Sequence, residues 1–252
     1  MERRSTSQLS AMPHRALNRL AGIVKPVWRL ERGVLAGLAL AAAAFWGFIE
    51  IADEVIEGHT RAFDEALLLA FRSAEDPSDP WGPPWLAEVM RDFSALGGVA
   101  VLTLFTAAAI GYLLLDGKRH AAIAVFIAVA GGQLLSTALK LGFDRPRPDL
   151  VPHDVIVYTA SFPSGHAMMS AVTYLTLGAM LARVHAELHQ KIYVLSLAML
   201  LTIVVGVSRV YLGVHWPSDV VAGWAVGAGW ALACAAVTLR LQRRGQIEPS
   251  DS

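Results

Sequence analysis

The chain has a single cysteine, Cys234, among its 252 residues. No intramolecular disulfide can form, and paired-thiol redox chemistry is excluded. Cysteine and histidine nowhere cluster with the spacing of a zinc site, so neither a metal nor a cofactor is expected. The formal net charge is zero, which removes the global electrostatic case for nucleic acid as a partner. Internal repeats and low-complexity segments are missing. No short apolar core with a small-residue cleavage site follows the N-terminus, so no removable signal peptide is expected. Charge itself is scarce, with 17% of residues charged against 55% hydrophobic. Together with a mean hydropathy of +0.48, that balance points to the membrane class.

What is present is long apolar runs. A helix crosses a bilayer with about 17–25 residues, and six stretches qualify: 33–52, 96–115, 120–140, 165–183, 191–209 and 218–240. They predict an all-α integral membrane bundle of six transmembrane helices over residues 33–240, between a basic tail (1–32) and a short tail (241–252). The only long polar interval is 53–95. It holds a short amphipathic stretch, FDEALLLAFR, and then a loop, DPSDPWGPPW, whose Trp81 and Trp85 suit headgroup depth. The N-terminal tail, with GIVKPVWRL, reads as an interfacial segment on anionic lipid. Gly131, Gly132 and the span-six run AGWAVGAGWALA read as close helix packing, and Gln133, Ser136 and Thr137 as interhelical hydrogen-bonding groups.

Lysine and arginine set the orientation. The N-terminal tail, the loops at 118–119 and 183–191 and the C-terminal tail hold 14 of the 21 basic residues, all on one side of a six-span chain. Both termini are therefore expected in the cytoplasm. On the other face Lys140, Arg145, Arg147 and Arg209 gather at the outer ends of spans three and five.

Three segments share that face: KLGFDRPRP (140–148), PSGH (163–166) and SRVYLGVHWPSD (208–219). Ionisable groups at membrane depth face an interior or a cleft and mark function, and a cluster of cations there suits a bound anion. Lys140 offers a point charge, whereas Arg147 and Arg209 offer planar forks matching two phosphate oxygens. Ser164 and Gly165 stand where span four begins, so helix-terminal N–H groups can seat an oxyanion. Asp219 follows His215 by four residues; as acceptor for the Nδ1–H it would leave Nε2 as a nucleophile. His166 could protonate the departing oxygen and later activate water. Arg145 is read as a snorkelling interface anchor that can touch the headgroup. His153, His185 and His189 stand in loops without companions and are read as solvated.

The pattern Lys-x6-Arg-Pro, then Pro-Ser-Gly-His, then Ser-Arg-x5-His-x3-Asp resembles the three-part signature of type 2 phosphatidic acid phosphatases, in order and spacing. The resemblance implies a metal-independent lipid phosphatase with His215 as nucleophile, Asp219 as its orienter and His166 as acid and base. It also implies Lys140, Arg147, Ser164, Gly165 and Arg209 as phosphate ligands. Of the two Arg-Pro pairs, the six-residue gap selects Arg147. Phosphatidic acid, phosphatidylglycerophosphate and undecaprenyl diphosphate all fit a signature that reads only phosphate, and a bacterial inner membrane is the expected location. Two rivals remain. One is a lipid phosphotransferase that resolves the same phosphohistidine with a lipid acceptor. The other is a transporter or structural protein that binds phosphate without turnover, which leaves the histidine–aspartate pairing unexplained. A vanadate-dependent haloperoxidase has a similar anion site, but those enzymes are soluble.

Overall fold

A computed structural model describes residues 12–152 and 159–243, with side chains over 32–152 and 159–242. Eight helices account for these residues: α1 (Met12–Ile56), α2 (Arg61–Leu69), α3 (Pro84–Ala95), α4 (Val99–Leu115), α5 (Arg119–Gly142), α6 (Gly165–Val184), α7 (Leu188–Tyr211) and α8 (Pro217–Arg243). Five of them are long and apolar enough to cross a membrane, and six if the bent pair α3–α4 counts as one span. Apolar residues stand on every face of such a helix, because the surrounding lipid is as apolar as a core. α5 and α7 accordingly expose Phe126, Leu134, Met199 and Leu200.

α6 and α8 form the centre, with α1 along α8 and α7 along α6. Small residues allow this approach. A methyl group on Gly131 would meet the Trp230 ring at 2.6 Å, and one on Gly227 would meet the Met168 carbonyl at 2.5 Å. The glycine and alanine runs thus pack helices closely, as their composition suggested. Phe48, Phe143 and Phe162 stack beside Met168, tying α1, the α5 exit and the turn before α6 into one cluster.

The interval between the first two spans is more structured than a single amphipathic stretch. α1 continues to Ile56, and α2 and α3 follow. The second span does not start as a continuous helix at Leu96. Leu96–Gly98 forms a break that bends α3 against α4 by 46°. Trp81 and Trp85 are exposed, as headgroup anchors would be. Yet the segment also grips the bundle: the Arg72 guanidinium donates to the Tyr211 carbonyl at 2.8 Å, Tyr211 donates to the Trp81 carbonyl, and Tyr174 donates to the Leu96 carbonyl. A guanidinium on the last carbonyl of α7 answers both an unmet acceptor and the negative end of the dipole. Thr137 turns its hydroxyl to its own helix at the Gln133 carbonyl, so it makes no interhelical bond there. His153 lies outside the described residues; His189 is exposed and His185 half-buried.

Candidate active site

The ends of α5 and α7 and the starts of α6 and α8 meet at one end of the bundle. Together they carry the three signature pieces, and an open cleft of about 1420 Å³ runs among them. Lys140, Arg147, Gly165, His166, Arg209 and His215 all line it. The chain reaches this arrangement through a sharp connection. In Leu212–Trp216, between α7 and α8, Gly213 takes φ +72°, a left-handed conformation that a side chain resists. Pro217 then opens α8, where its fixed φ suits a first helical position.

His215 is buried, and its two ring nitrogens face different surroundings. On the cleft side an Arg147 terminal nitrogen approaches Nε2 at 3.2 Å. A guanidinium can only donate, so Nε2 is the bare acceptor and the ring proton sits on Nδ1. Behind the ring, Nδ1 faces Asp219 Oδ2 and Ser161 Oγ, each at 3.4 Å. Burial holds the imidazole far below its usual value, at about 3, with the Asp219 carboxylate opposing and the Arg147 and Arg209 charges adding. The ring is therefore neutral at physiological pH, with its lone pair toward the cleft.

Arg147 is held by the Val214 carbonyl at 2.7 Å and the Thr159 carbonyl at 3.1 Å, and burial lowers the affinity of its guanidinium for its proton. Lys140 Nζ donates to the Ala160 carbonyl at 3.0 Å. A methyl group on Gly165 would press on the Lys140 stem at 3.3 Å, so the glycine makes room for the lysine. Arg209 donates to Ser94 Oγ at 2.6 Å, and its Nε is buried with no protein acceptor. Buried donors are almost always paired; an unpaired one beside two further cations suits an anion. Asp144, exposed, is the only carboxylate lining the cleft among the described residues.

Two signature residues stand elsewhere. Ser164 is fully buried and caps α6, its hydroxyl facing the Ala167 N–H at 3.5 Å. Its own N–H donates to the Asp219 carbonyl at 2.9 Å, so that group is not a free anion donor. Asp219 is also fully buried, behind His215. Its Oδ2 accepts from Ser161 Oγ and, at 2.9 Å, from the Trp216 N–H; its Oδ1 accepts from Arg145 at 2.5 Å. The Trp216 bond is half of a capping box, in which a third-position acid reaches back to the cap residue's N–H.

Arg145 is no interface anchor. Its guanidinium, 15% exposed, spans Asp219 and Asp64, the latter at 2.7 Å, and lies over the Trp216 ring at 5.7 Å. Asp64, on α2 and 1% exposed, also accepts the Ser218 N–H at 2.8 Å and hydroxyl at 2.7 Å. Asp64, Ser94, Ser161 and Ser218 carried no sequence signal beyond ordinary polarity. Asp64 sits beside Glu65 in the amphipathic FDEALLLAFR, where nothing separates it from a solvated acid.

A family model described as the PAP2 superfamily matches residues 121–243. Phosphatidylglycerophosphatase B of Bacillus subtilis is 31% identical over 194 residues, covering 75% of this chain and 85% of the relative. A lipid A 1-phosphatase of Rhizobium johnstonii is 34% identical over 158 residues, covering 55% of this chain and 60% of that protein. Among solved structures, that of a transmembrane PAP2-type phosphatidylglycerolphosphate phosphatase from Bacillus subtilis superposes with a TM-score of 0.70 at 27% identity. The superposition covers 80% of this chain and 96% of that one.

Proposed function

The chain belongs to the PAP2 superfamily, and on that premise we propose that it removes a terminal phosphate from a membrane lipid through a phosphohistidine at His215. One observation carries this reading. A buried, neutral imidazole presents its bare Nε2 to a cleft lined by Lys140, Arg147 and Arg209, with a second histidine, His166, on the same cleft.

The lipid phosphate is held by the three cations and the N–H groups opening α6. Nε2 attacks phosphorus, forming a P–N bond as the P–O bond to the lipid breaks, and His166 delivers a proton to the departing oxygen. Arg147 trades its bond to Nε2 for a phosphate oxygen as phosphorus arrives. In the second half His166 takes a proton from water, the water oxygen attacks phosphorus, and the P–N bond breaks to free phosphate and neutral His215. Charge moves onto the equatorial oxygens, where forked donors act most strongly.

From the site the cleft continues between α4 and α5, past Gln133, Val129 and Phe126 to Thr106 and Gly111. Val99 to Gly111 spans roughly 18 Å of helix axis at 1.5 Å per residue, more than the ~15 Å of one hydrocarbon leaflet. A lipid tail fits this groove. Lys118, Arg119, Arg183, Lys191 and Arg240 stand at the helix ends away from the site, and basic residues favour the cytoplasm. Both termini are then cytoplasmic and the site extracytoplasmic.

Phosphate release from phosphatidylglycerophosphate, phosphatidic acid and undecaprenyl diphosphate, measured side by side in detergent, tests the proposal. One of the three should turn over, with His215→Ala inactive on it. Residual turnover by folded His215→Ala rejects the covalent route. Label passing into a second lipid instead of free phosphate makes the enzyme a transferase.

A further inference from the structure

Behind His215 the charges can be counted. Asp219 supplies one negative charge, Arg145 cancels it, and Asp64 on the far arm of Arg145 restores it. The three side chains are 15%, 1% and 0% exposed for Arg145, Asp64 and Asp219, so bulk water does little to screen them. Without Asp64, the buried Asp219–Arg145 pair would be neutral. The imidazole would then find little net negative charge behind it at the moment it needs some, since P–N bond formation leaves a positively charged ring bearing its Nδ1–H.

We infer that Asp64 is a positioning residue of the reaction: by neutralising Arg145 it keeps the Asp219 charge available to the phosphorylated His215. This inference rests on His215 being the nucleophile. The geometry supports a built device. Asp64 Oδ2 takes both Arg145 and the Ser218 hydroxyl, and Oδ1 takes the Ser218 N–H at the start of α8. Thr60 adds a bond to the same Arg145 nitrogen at 3.2 Å. Removing one partner of a buried network exposes the others to an uncompensated charge, so Arg145 would lean wholly on Asp219 once Asp64 lost its charge.

Asp64→Asn tests this, because the amide oxygen can still accept from Ser218 while the charge is gone. In detergent, with the lipid phosphate that the wild-type protein hydrolyses best, kcat should fall roughly 10- to 100-fold, the size of effect seen when the outer-shell partner of a metal-ligating histidine is removed. KM and inhibition by inorganic phosphate should stay within about threefold, since the cleft cations are untouched. The double variant Asp64→Asn with Arg145→Gln removes the cancelling cation and should recover at least part of the lost kcat. Asp64→Glu keeps the charge but shifts the Ser218 bonds, and should hold kcat within about threefold of wild type. The inference is overturned if Asp64→Asn retains full kcat, if KM rises as kcat falls, if the double variant is worse than the single, or if Glu fails as badly as Asn. A wild-type protein inactive on every lipid phosphate, or an active His215→Ala, instead rejects the nucleophile assignment beneath it.

Discussion

The two sides of His215 differ in the sign of their charge. In front, the cleft carries Lys140, Arg147 and Arg209, braced by carbonyls and by Ser94, with Asp144 the lone acid lining it among the described residues. Behind, Asp64 and Asp219 enclose Arg145 and leave one net negative charge, every oxygen engaged. A ring between a cationic front and an anionic back faces a field suited to one event. On the proposed route an anion would arrive on one side while positive charge grew on the imidazole and was met on the other. The contrast would also separate two kinds of loss, since on that route the front would bind phosphate in ground and transition states whereas the back would act only as the ring became charged.

That separation can be broken from either side. Asp219→Asn should have the largest effect, a fall in kcat on the order of 10⁴-fold, as for the aspartate behind a catalytic histidine elsewhere. KM should hardly move; a parallel rise in KM would mean the back layer also shapes the cleft. Arg147→Lys keeps the charge but loses the fork, and should cost about 10²-fold in kcat/KM. Here KM should rise and inorganic phosphate should inhibit more weakly, the opposite partition from the aspartate.

A smaller effect comes from pH. His215 is depressed in the folded protein, so the unfolded chain binds more protons between about pH 6.5 and 3. Stability associated with this ring is full above that window and is lost as pH falls through it. From pH 7.5 to 5 the unfolding temperature in detergent should drop about 4–8 °C more for wild type than for His215→Gln. Equal drops would place the ring's proton affinity near its ordinary value. The smallest effect expected is from chelators. On the proposed reading Lys140, Arg147 and Arg209 would supply the charge neutralisation that metal ions give other phosphoryl-transfer sites. Excess EDTA should change the rate by less than about twofold, and a large loss restored by magnesium would add a cation to the front layer.

The front layer was legible in the sequence because its residues sit at fixed offsets within short segments. Lys140 and Arg147, Gly165 and His166, Arg209 and His215 each belong to one short segment, and helix ends deliver these segments to one end of the bundle. The back layer was not legible. Asp64 meets Arg145 across 81 positions and Ser218 across 154, and an acid in a short amphipathic helix has the look of any solvated face. Arg145 was likewise read as an anchor, since a snorkelling arginine and a buried one share the same letters. Ser164 was assigned to phosphate from its motif, whereas the fold turns its hydroxyl onto α6 and its N–H onto Asp219.

The sequence by itself determined an all-helical membrane chain, its family, and the end of the bundle where the three motif segments meet. These follow from hydrocarbon thickness and from short-range spacing, both of which are local properties of the chain. Only the tertiary structure decided which carboxylate faces which cation, which N–H groups are already committed, and that the α2–α3 segment takes part in the site. Those outcomes depend on the packing of residues far apart in sequence, where a displacement of one ångström makes or breaks a hydrogen bond and no local pattern records it.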